Sequence, residues 1–323
     1  MRAFVTGAAG FIGSNLVDRL LATGAQVVGW DNFSTGQEEF LAAARSHPGF
    51  RLIRGDMLDL APLTAAMDGC TIVFHLAASA DVRFGLQYPR RDLEQNTVAT
   101  HNVLEAMRTR GIRRLVFSST GSIYGDSRVI PTPEDAPMPV QTSLYGASKL
   151  AGEGMITAYC EGYGFEACIF RFVSILGERY SHGHIYDFLR QLRSHPDRLR
   201  ILGDGRQRKS YLHVADCVDA MLHVVNTGAA ATAAHRAAIF NLGTDAWCEV
   251  IDSARWIARE LGLSPRFEYS GGDRGWAGDS PFIYLATDRI RKSGWQPRFT
   301  IEDSVVRTVR WLVGNPWIFD RRA

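Results

Sequence analysis

The chain has 323 residues, 46% hydrophobic and 22% charged, the composition of a globular protein with one large α/β domain and room for a smaller lobe. A net charge of +2 without a long basic run gives no nucleic-acid surface, and no apolar run approaches the roughly 18 residues of a membrane span. The cysteines Cys70, Cys160, Cys168, Cys217 and Cys248 are scattered without a C-x-x-C, so neither a disulfide framework nor a zinc cluster is expected.

Short apolar runs alternate with helical patterns along the first half. Ala3 to Val5 reads as a strand, Phe11 to Thr23 as a helix with Leu16, Leu20 and Leu21 on one side, and Gln26 to Trp30 and Arg51 to Arg54 as further strands. Thr71 to Leu76 is a fourth strand, Asn96 to Thr109 a helix, Leu115 to Ser118 a fifth strand, Tyr145 to Gly162 a helix and Ala167 to Phe172 a sixth strand. Strands separated by helices imply right-handed βαβ units and a doubly wound parallel sheet. Residues 1–172 are expected to form that domain, with 211–245 returning to it, and 173–210 and 246–323 a smaller substrate lobe. The Ala-rich stretch Ala229 to Ala238 reads as a surface loop or helix end. The strand-like opening carries no signal-peptide pattern, so a reduced, cytoplasmic setting is expected.

Between the first strand and the first helix stands Thr6-Gly7-Ala8-Ala9-Gly10-Phe11-Ile12-Gly13. Glycines there let the backbone turn tightly and approach a pyrophosphate at the N–H groups of the helix end. No Gly-Lys-Ser/Thr follows, which excludes a P-loop. Asp31 ends the second strand, where an acid would hold the adenosine ribose hydroxyls and repel a 2′-phosphate, so NAD is preferred over NADP. Asp56 is either an adenine contact or a turn residue.

Tyr145 and Lys149 are four residues apart, a spacing that puts both on one helix face. A lysine ammonium beside a phenol favours phenolate and lowers a pKa that starts near about 10, which makes Tyr145 a candidate base.

Taken in order, Thr6 to Gly13, Asp31-Asn32, Gly55-Asp56, His75 to Ala78, Asn96, Ser118 to Thr120, Tyr145-x-x-x-Lys149 and Tyr211 to Val214 resemble the extended short-chain dehydrogenase/reductase family, and within it the nucleotide-sugar 4-epimerases. The resemblance runs from Met1 to about Leu312. It implies a Rossmann domain, bound NAD, a UDP-sugar substrate, no metal and a homodimer packed through the helices at Asn96 to Thr109 and Tyr145 to Gly162. It also implies roles. Tyr145 would be the base, Lys149 its partner and a holder of the nicotinamide ribose, and Thr120 a contact of the sugar 4-hydroxyl. Gly7, Gly10, Phe11, Ile12, Asp31, Asn32, Asp56, Met57, Leu76, Ala77 and Ala78 would complete the cofactor site. The implied reaction is transient oxidation at C4 to a 4-keto sugar, followed by reduction from the other face.

Dehydratase and decarboxylase relatives typically carry acids just after the catalytic Thr. Here Gly121 and Ser122 stand there, which favours an epimerase. Arg83, Ser122, Ser174 and Arg179 fall in segments expected to border the hexose and would suit a C6 carboxylate, a lean towards UDP-glucuronate over UDP-glucose. Arg208 and Arg274 are the diphosphate candidates. The family often has Asn where Ser174 stands and Arg-Asp where Lys209-Ser210 stands, so those contacts do not carry over directly. A UDP-glucose/UDP-galactose 4-epimerase and a net NAD-dependent oxidoreductase remain as alternatives.

Overall fold

The computed structural model describes residues 1–79, 82, 85–137, 140–228, 236–276 and 278–321. Arg83 and most of the Ala229 to Ala238 stretch lie outside the described residues. Two compact units are present. One comprises 1–123, 143–171 and 218–240, the other 124–142, 172–217 and 241–323.

The first unit is built as the alternation predicts. Strand β1 (Arg2–Thr6) leads into helix α1 (Phe11–Ala22), then β2 (Gln26–Asp31), a short helix α2 (Ala42–Arg45), β3 (Phe50–Arg54), α3 (Leu60–Ala66) and β4 (Ile72–His75). Helix α4 (Pro89–Asp92) runs through a π-helical stretch, Leu93–Val98, into α5 (Ala99–Arg110). Then come β5 (Arg114–Thr120), α6 (Leu144–Tyr163) and β6 (Glu166–Phe172). The central strands are continuous apolar runs because both of their faces are covered. Phe4, Val73, Leu115 and Phe117 on the sheet share one core with Val103, Leu104 and Met107 of α5 and with Ile156 and Cys160 of α6.

In the second unit, β7 (Ser174–Leu176) is followed by α7 (His184–Ser194), β8 (Arg198–Ile201), β9 (Arg208–Lys209) and β10 (Tyr211–His213). Helix α8 (Val214–Thr227) precedes β11 (Ala237–Leu242), which completes a seven-stranded sheet of order β11-β6-β5-β4-β1-β2-β3. The pairs around β1 are parallel, and the reversal of strand order beside β1 is the switch point where a doubly wound sheet presents its ligand crevice. Strand β11 stands at the edge of this sheet, beside β6. Tyr211–His213 pairs instead with β7 in a separate two-stranded sheet, because this run is only three residues long before α8 starts. The helices α9 (Val250–Glu260), α10 (Asp288–Lys292) and α11 (Ile301–Gly314) belong to the second unit.

Candidate active site

The Gly-rich turn is shaped by contacts that only glycine permits. Gly7 has φ +67°, and a Cβ there would stand 2.9 Å from the backbone of Ala77. A Cβ on Gly13 would lie 1.9 Å from the Gly7 carbonyl oxygen. Gly10 caps α1 with extended backbone and, having no side chain, brings no side-chain cap of its own, so the first turn of the helix follows directly on the Gly-rich turn. Asp31 ends β2 and is 7% exposed. Its carboxylate accepts the Ala9 N–H and the Phe33 N–H, each at 2.8 Å, which ties the Gly-rich turn to the end of β2. Burial pushes its pKa up, and those two N–H groups pull it back. Each oxygen keeps a lone pair, as a ribose diol requires. Asn32 donates to Asp56 at 2.9 Å, and the other Asp56 oxygen accepts the Leu58 N–H. Asp56 is therefore at least a turn residue. Met57 is buried, and its carbonyl accepts from Asn102. The residues fit a dinucleotide: a close-approach cradle, a helix end that starts at a glycine and a carboxylate at the tip of β2.

A second network joins the cofactor segment to the Tyr145 helix. Thr6 Oγ1 accepts the N–H groups of Leu76 and Ala77 at 3.1 and 3.2 Å and lies 2.8 Å from His75 Nδ1. With its lone pairs taken, the hydroxyl donates to Nδ1, so the proton of the neutral ring sits on Nε2 and is donated to Thr100 at 3.0 Å. Burial, helped by Lys149, holds His75 down at about 3, so the ring is neutral. Thr100 donates onward to the Asn96 carbonyl. The Asn96 side chain accepts the Ser79 N–H at 2.8 Å and donates to Ser148 at 2.9 Å. Asn96 sits in the π-helical stretch, whose wider turn re-aims side chains relative to an α-helix.

Thr120, Ser122, Tyr145 and Lys149 are brought into one unit by β5 and α6. Ser143 caps α6 by accepting the Gly146 N–H at 3.0 Å, which fixes the turn that carries Tyr145. Thr120 ends β5 and is hydrogen-bonded to the Tyr145 phenol. Its hydroxyl also accepts the Ser122 N–H at 3.1 Å and lies 3.2 Å from the Ser122 hydroxyl. Ser122 thereby orients Thr120. Lys149 is 2% exposed, with Nζ 4.2 Å from the centre of the Phe117 ring.

The electrostatics differ from the sequence expectation. Burial pushes the Tyr145 phenol up to about 12. The Thr120 hydrogen bond lowers it, and the Asp92 carboxylate raises it further. Burial pulls Lys149 down to about 7, opposed by Glu153. Desolvation of both groups outweighs the attraction expected between them. Glu153 itself, one turn beyond Lys149, is clamped by Arg171, with Nη2 to Oε2 at 2.7 Å, and accepts from Ser119. Sequence reasoning passed over this buried triad. Its signal was an i, i+4 continuation of the Tyr145–Lys149 face.

The remaining substrate candidates lie in the second unit. Ser174 is exposed at the start of β7. Arg179 is half-buried with a left-handed backbone, φ +71°, a strained conformation for a residue with a side chain. The Arg208 guanidinium packs 4.9 Å from the Trp247 ring centre and 5.5 Å from that of Phe282. Arg274 pairs with Asp126 at 2.8 Å and donates to the Asp279 carbonyl at 2.6 Å. Lys209, also buried, is held by Asp279 at 2.6 Å. His184 shares a 2.9 Å hydrogen bond with Ser253.

A model of the NAD dependent epimerase/dehydratase family matches residues 3–243. The UDP-glucose 4-epimerase of Mycolicibacterium smegmatis is 34% identical over 97% of this chain and 98% of its own. A crystal structure of a UDP-galactose 4-epimerase superimposes with a TM-score of 0.88 at 37% identity, covering 98% of this chain and all of that one. A UDP-glucose 4-epimerase of Thermus thermophilus, solved with NAD, gives 0.85 at 30% identity over 97% of this chain and 99% of that one. With the fold, the glycine cradle and the Thr120–Tyr145–Lys149 set in place, the chain belongs to the NAD dependent epimerase/dehydratase family.

Proposed function

We propose that this enzyme is a UDP-hexose 4-epimerase that interconverts UDP-glucose and UDP-galactose through a transient 4-keto sugar. The enzyme is an NAD-dependent nucleotide-sugar 4-epimerase; the neutral hexose is the finer part of the reading. The observation that carries it is the Thr120–Tyr145 hydrogen bond beside a turn, Gly121–Tyr124, that contains no carboxylate. An acid in that turn is what elimination at C6 or decarboxylation would need, and C4 inversion needs none.

Bound NAD supplies the hydride acceptor at C4 and, when oxidised, a positive charge that favours the phenolate. Gly7, Gly10 and the first turn of α1 would hold its pyrophosphate, Asp31 its adenosine ribose and Lys149 its nicotinamide ribose. Tyr145 takes the proton of the sugar 4-hydroxyl and returns it to the inverted alcohol. Thr120 holds that hydroxyl against the phenol, and Ser122 holds Thr120. The low dielectric around Lys149 strengthens every charge interaction at the phenol.

The uronate lean rested on Arg83, Arg179, Ser122 and Ser174. Ser122 is engaged with Thr120, and the relatives above are named for neutral hexoses. The unit containing Ser174, Arg179, Arg208 and Arg274 is read as the substrate lobe, with Arg208 and Arg274 as diphosphate ligands after Arg274 exchanges Asp126 for phosphate. A cytoplasmic homodimer packed through α5 and α6 completes the proposal; sedimentation velocity tests the dimer. Purified protein incubated separately with UDP-glucose, UDP-N-acetylglucosamine and UDP-glucuronate, without added cofactor, tests the substrate. NMR should show the C4 epimer from UDP-glucose. Conversion of the uronate alone would reverse the choice, and conversion of none would sink the reading.

A further inference from the structure

Asp92 ends α4 and is 2% exposed. One side of its carboxylate accepts from the Ser79 hydroxyl, while Oδ2 is buried without a hydrogen-bond partner among the described residues. A Cβ added at Gly85 would stand 2.7 Å from this Oδ2 and 3.5 Å from Leu144 Cβ, so the carboxyl lies beside the first turn of α6, next to the residue before Tyr145. The absence of a side chain at Gly85 is what leaves Oδ2 room. The Asp92 charge also reaches the Tyr145 phenol and disfavours its ionisation. Burial pushes Asp92 up, while Ser79 and the nearby Arg91 pull it back.

A buried carboxylate oxygen with no donor is costly. This one also works against the catalytic base. Neither cost brings a structural return, because Asn96 and Ser148 already fasten this region to α6. An acceptor kept open beside the base suits a donor that arrives with the substrate. A sugar hydroxyl is such a donor. A C6 carboxylate is not, since it would meet a like charge in a poorly solvated site.

We propose that Asp92 accepts a hydroxyl of the bound hexose and selects an uncharged hexose over a uronate. The inference rests on the nucleotide-sugar reading above and supplies that reading with a residue for its substrate choice. Asp92→Asn keeps the size of the side chain and the bond to Ser79 but removes the charge. Binding of UDP-glucose and of UDP-glucuronate to wild type and Asp92→Asn, measured by calorimetry at mildly alkaline pH, separates the outcomes. The expected result is a loss of UDP-glucose affinity of about tenfold to a hundredfold, the scale of a hydrogen bond to an ionised group, with UDP-glucuronate affinity unchanged or higher. Gly85→Ala should weaken UDP-glucose in the same direction by crowding Oδ2, with its thermal midpoint recorded to exclude misfolding. An equal loss for both sugars, or no loss for either, overturns the role of Asp92. The expected binding shift without C4 inversion in the NMR assay would instead overturn the reaction reading and leave Asp92 as a sugar ligand.

Discussion

Glu153 lies one turn beyond Lys149 on α6, and its carboxylate is held by Arg171, with Nη2 to Oε2 at 2.7 Å. Both partners are almost fully buried, so the pair is a fixed negative-positive dipole under Lys149 rather than a surface ornament. Its field is what opposes the desolvation of Lys149. Glu153→Gln removes the carboxylate charge that pairs with the buried Arg171 cation. The expected cost is about 3–5 kcal/mol of stability, read as a lower denaturant midpoint. The same variant should lower the pKa of Lys149 further, read as a shift in the pH profile of kcat.

In the proposed mechanism the phenol does the proton transfer. Tyr145→Phe should reduce kcat by about a hundredfold to ten-thousandfold, the range of general acid–base catalysis, with the thermal midpoint and substrate affinity preserved. Thr120→Val removes the hydrogen bond that lowers the phenol and should also act on kcat. Stopped-flow measurement of nicotinamide absorbance during turnover separates this from a binding defect.

Asp31 anchors the Gly-rich turn and, in the proposed site, presents lone pairs to a ribose. Asp31→Asn should weaken NAD by roughly tenfold to a hundredfold, as loss of hydrogen bonds to an ionised group implies, and narrow the preference over NADP. Titration of both nucleotides into cofactor-stripped protein checks it.

Gly13→Ala tests the cradle directly. Its Cβ would stand 1.9 Å from the Gly7 carbonyl oxygen, which belongs to backbone that cannot swing aside as a flexible side chain would. The variant should lose NAD binding, and its yield of soluble protein should fall.

Buried bases set the pH dependence of stability. His75 is held at about 3 when folded, against an ordinary value near 6.5. Between those values the unfolded chain binds more protons, so stability is complete above about 6.5 and is lost as pH falls towards 3. Each pH unit in that window should cost about 1.4 kcal/mol for this one group. Lys149 has the same sign in another window: its folded value of about 7 against 10.5 makes stability rise with pH across that interval. Unfolding midpoints recorded from acid to alkaline pH, with His75→Asn for comparison, test both. The acid limb should flatten in the variant.

The sheet was legible because its strands are short apolar runs separated by helical periodicity, and the Gly-rich turn because only glycine meets its geometry. Tyr145, Lys149 and Thr120 stand out by spacing and resemblance, and the fold places them in one unit. The direction of the phenol's pKa was not. It depends on how deeply the pair is desolvated, which no spacing reports. Asp92 was invisible for a related reason: an acid in Pro89-Arg90-Arg91-Asp92 reads as a solvated helix residue until the fold buries it. The pairing of Tyr211–His213 with β7 was missed because three-residue strands carry no periodicity.

The most direct test of the central claim, that one hydride leaves C4 and returns to it, is the fate of a label. UDP-galactose carrying deuterium at C4 is incubated with the enzyme in ordinary water, and the UDP-glucose formed is examined by NMR and mass spectrometry. The expected result is inversion with the deuterium retained at C4. Loss of the label to solvent, or a product that keeps the galactose configuration, would contradict the mechanism.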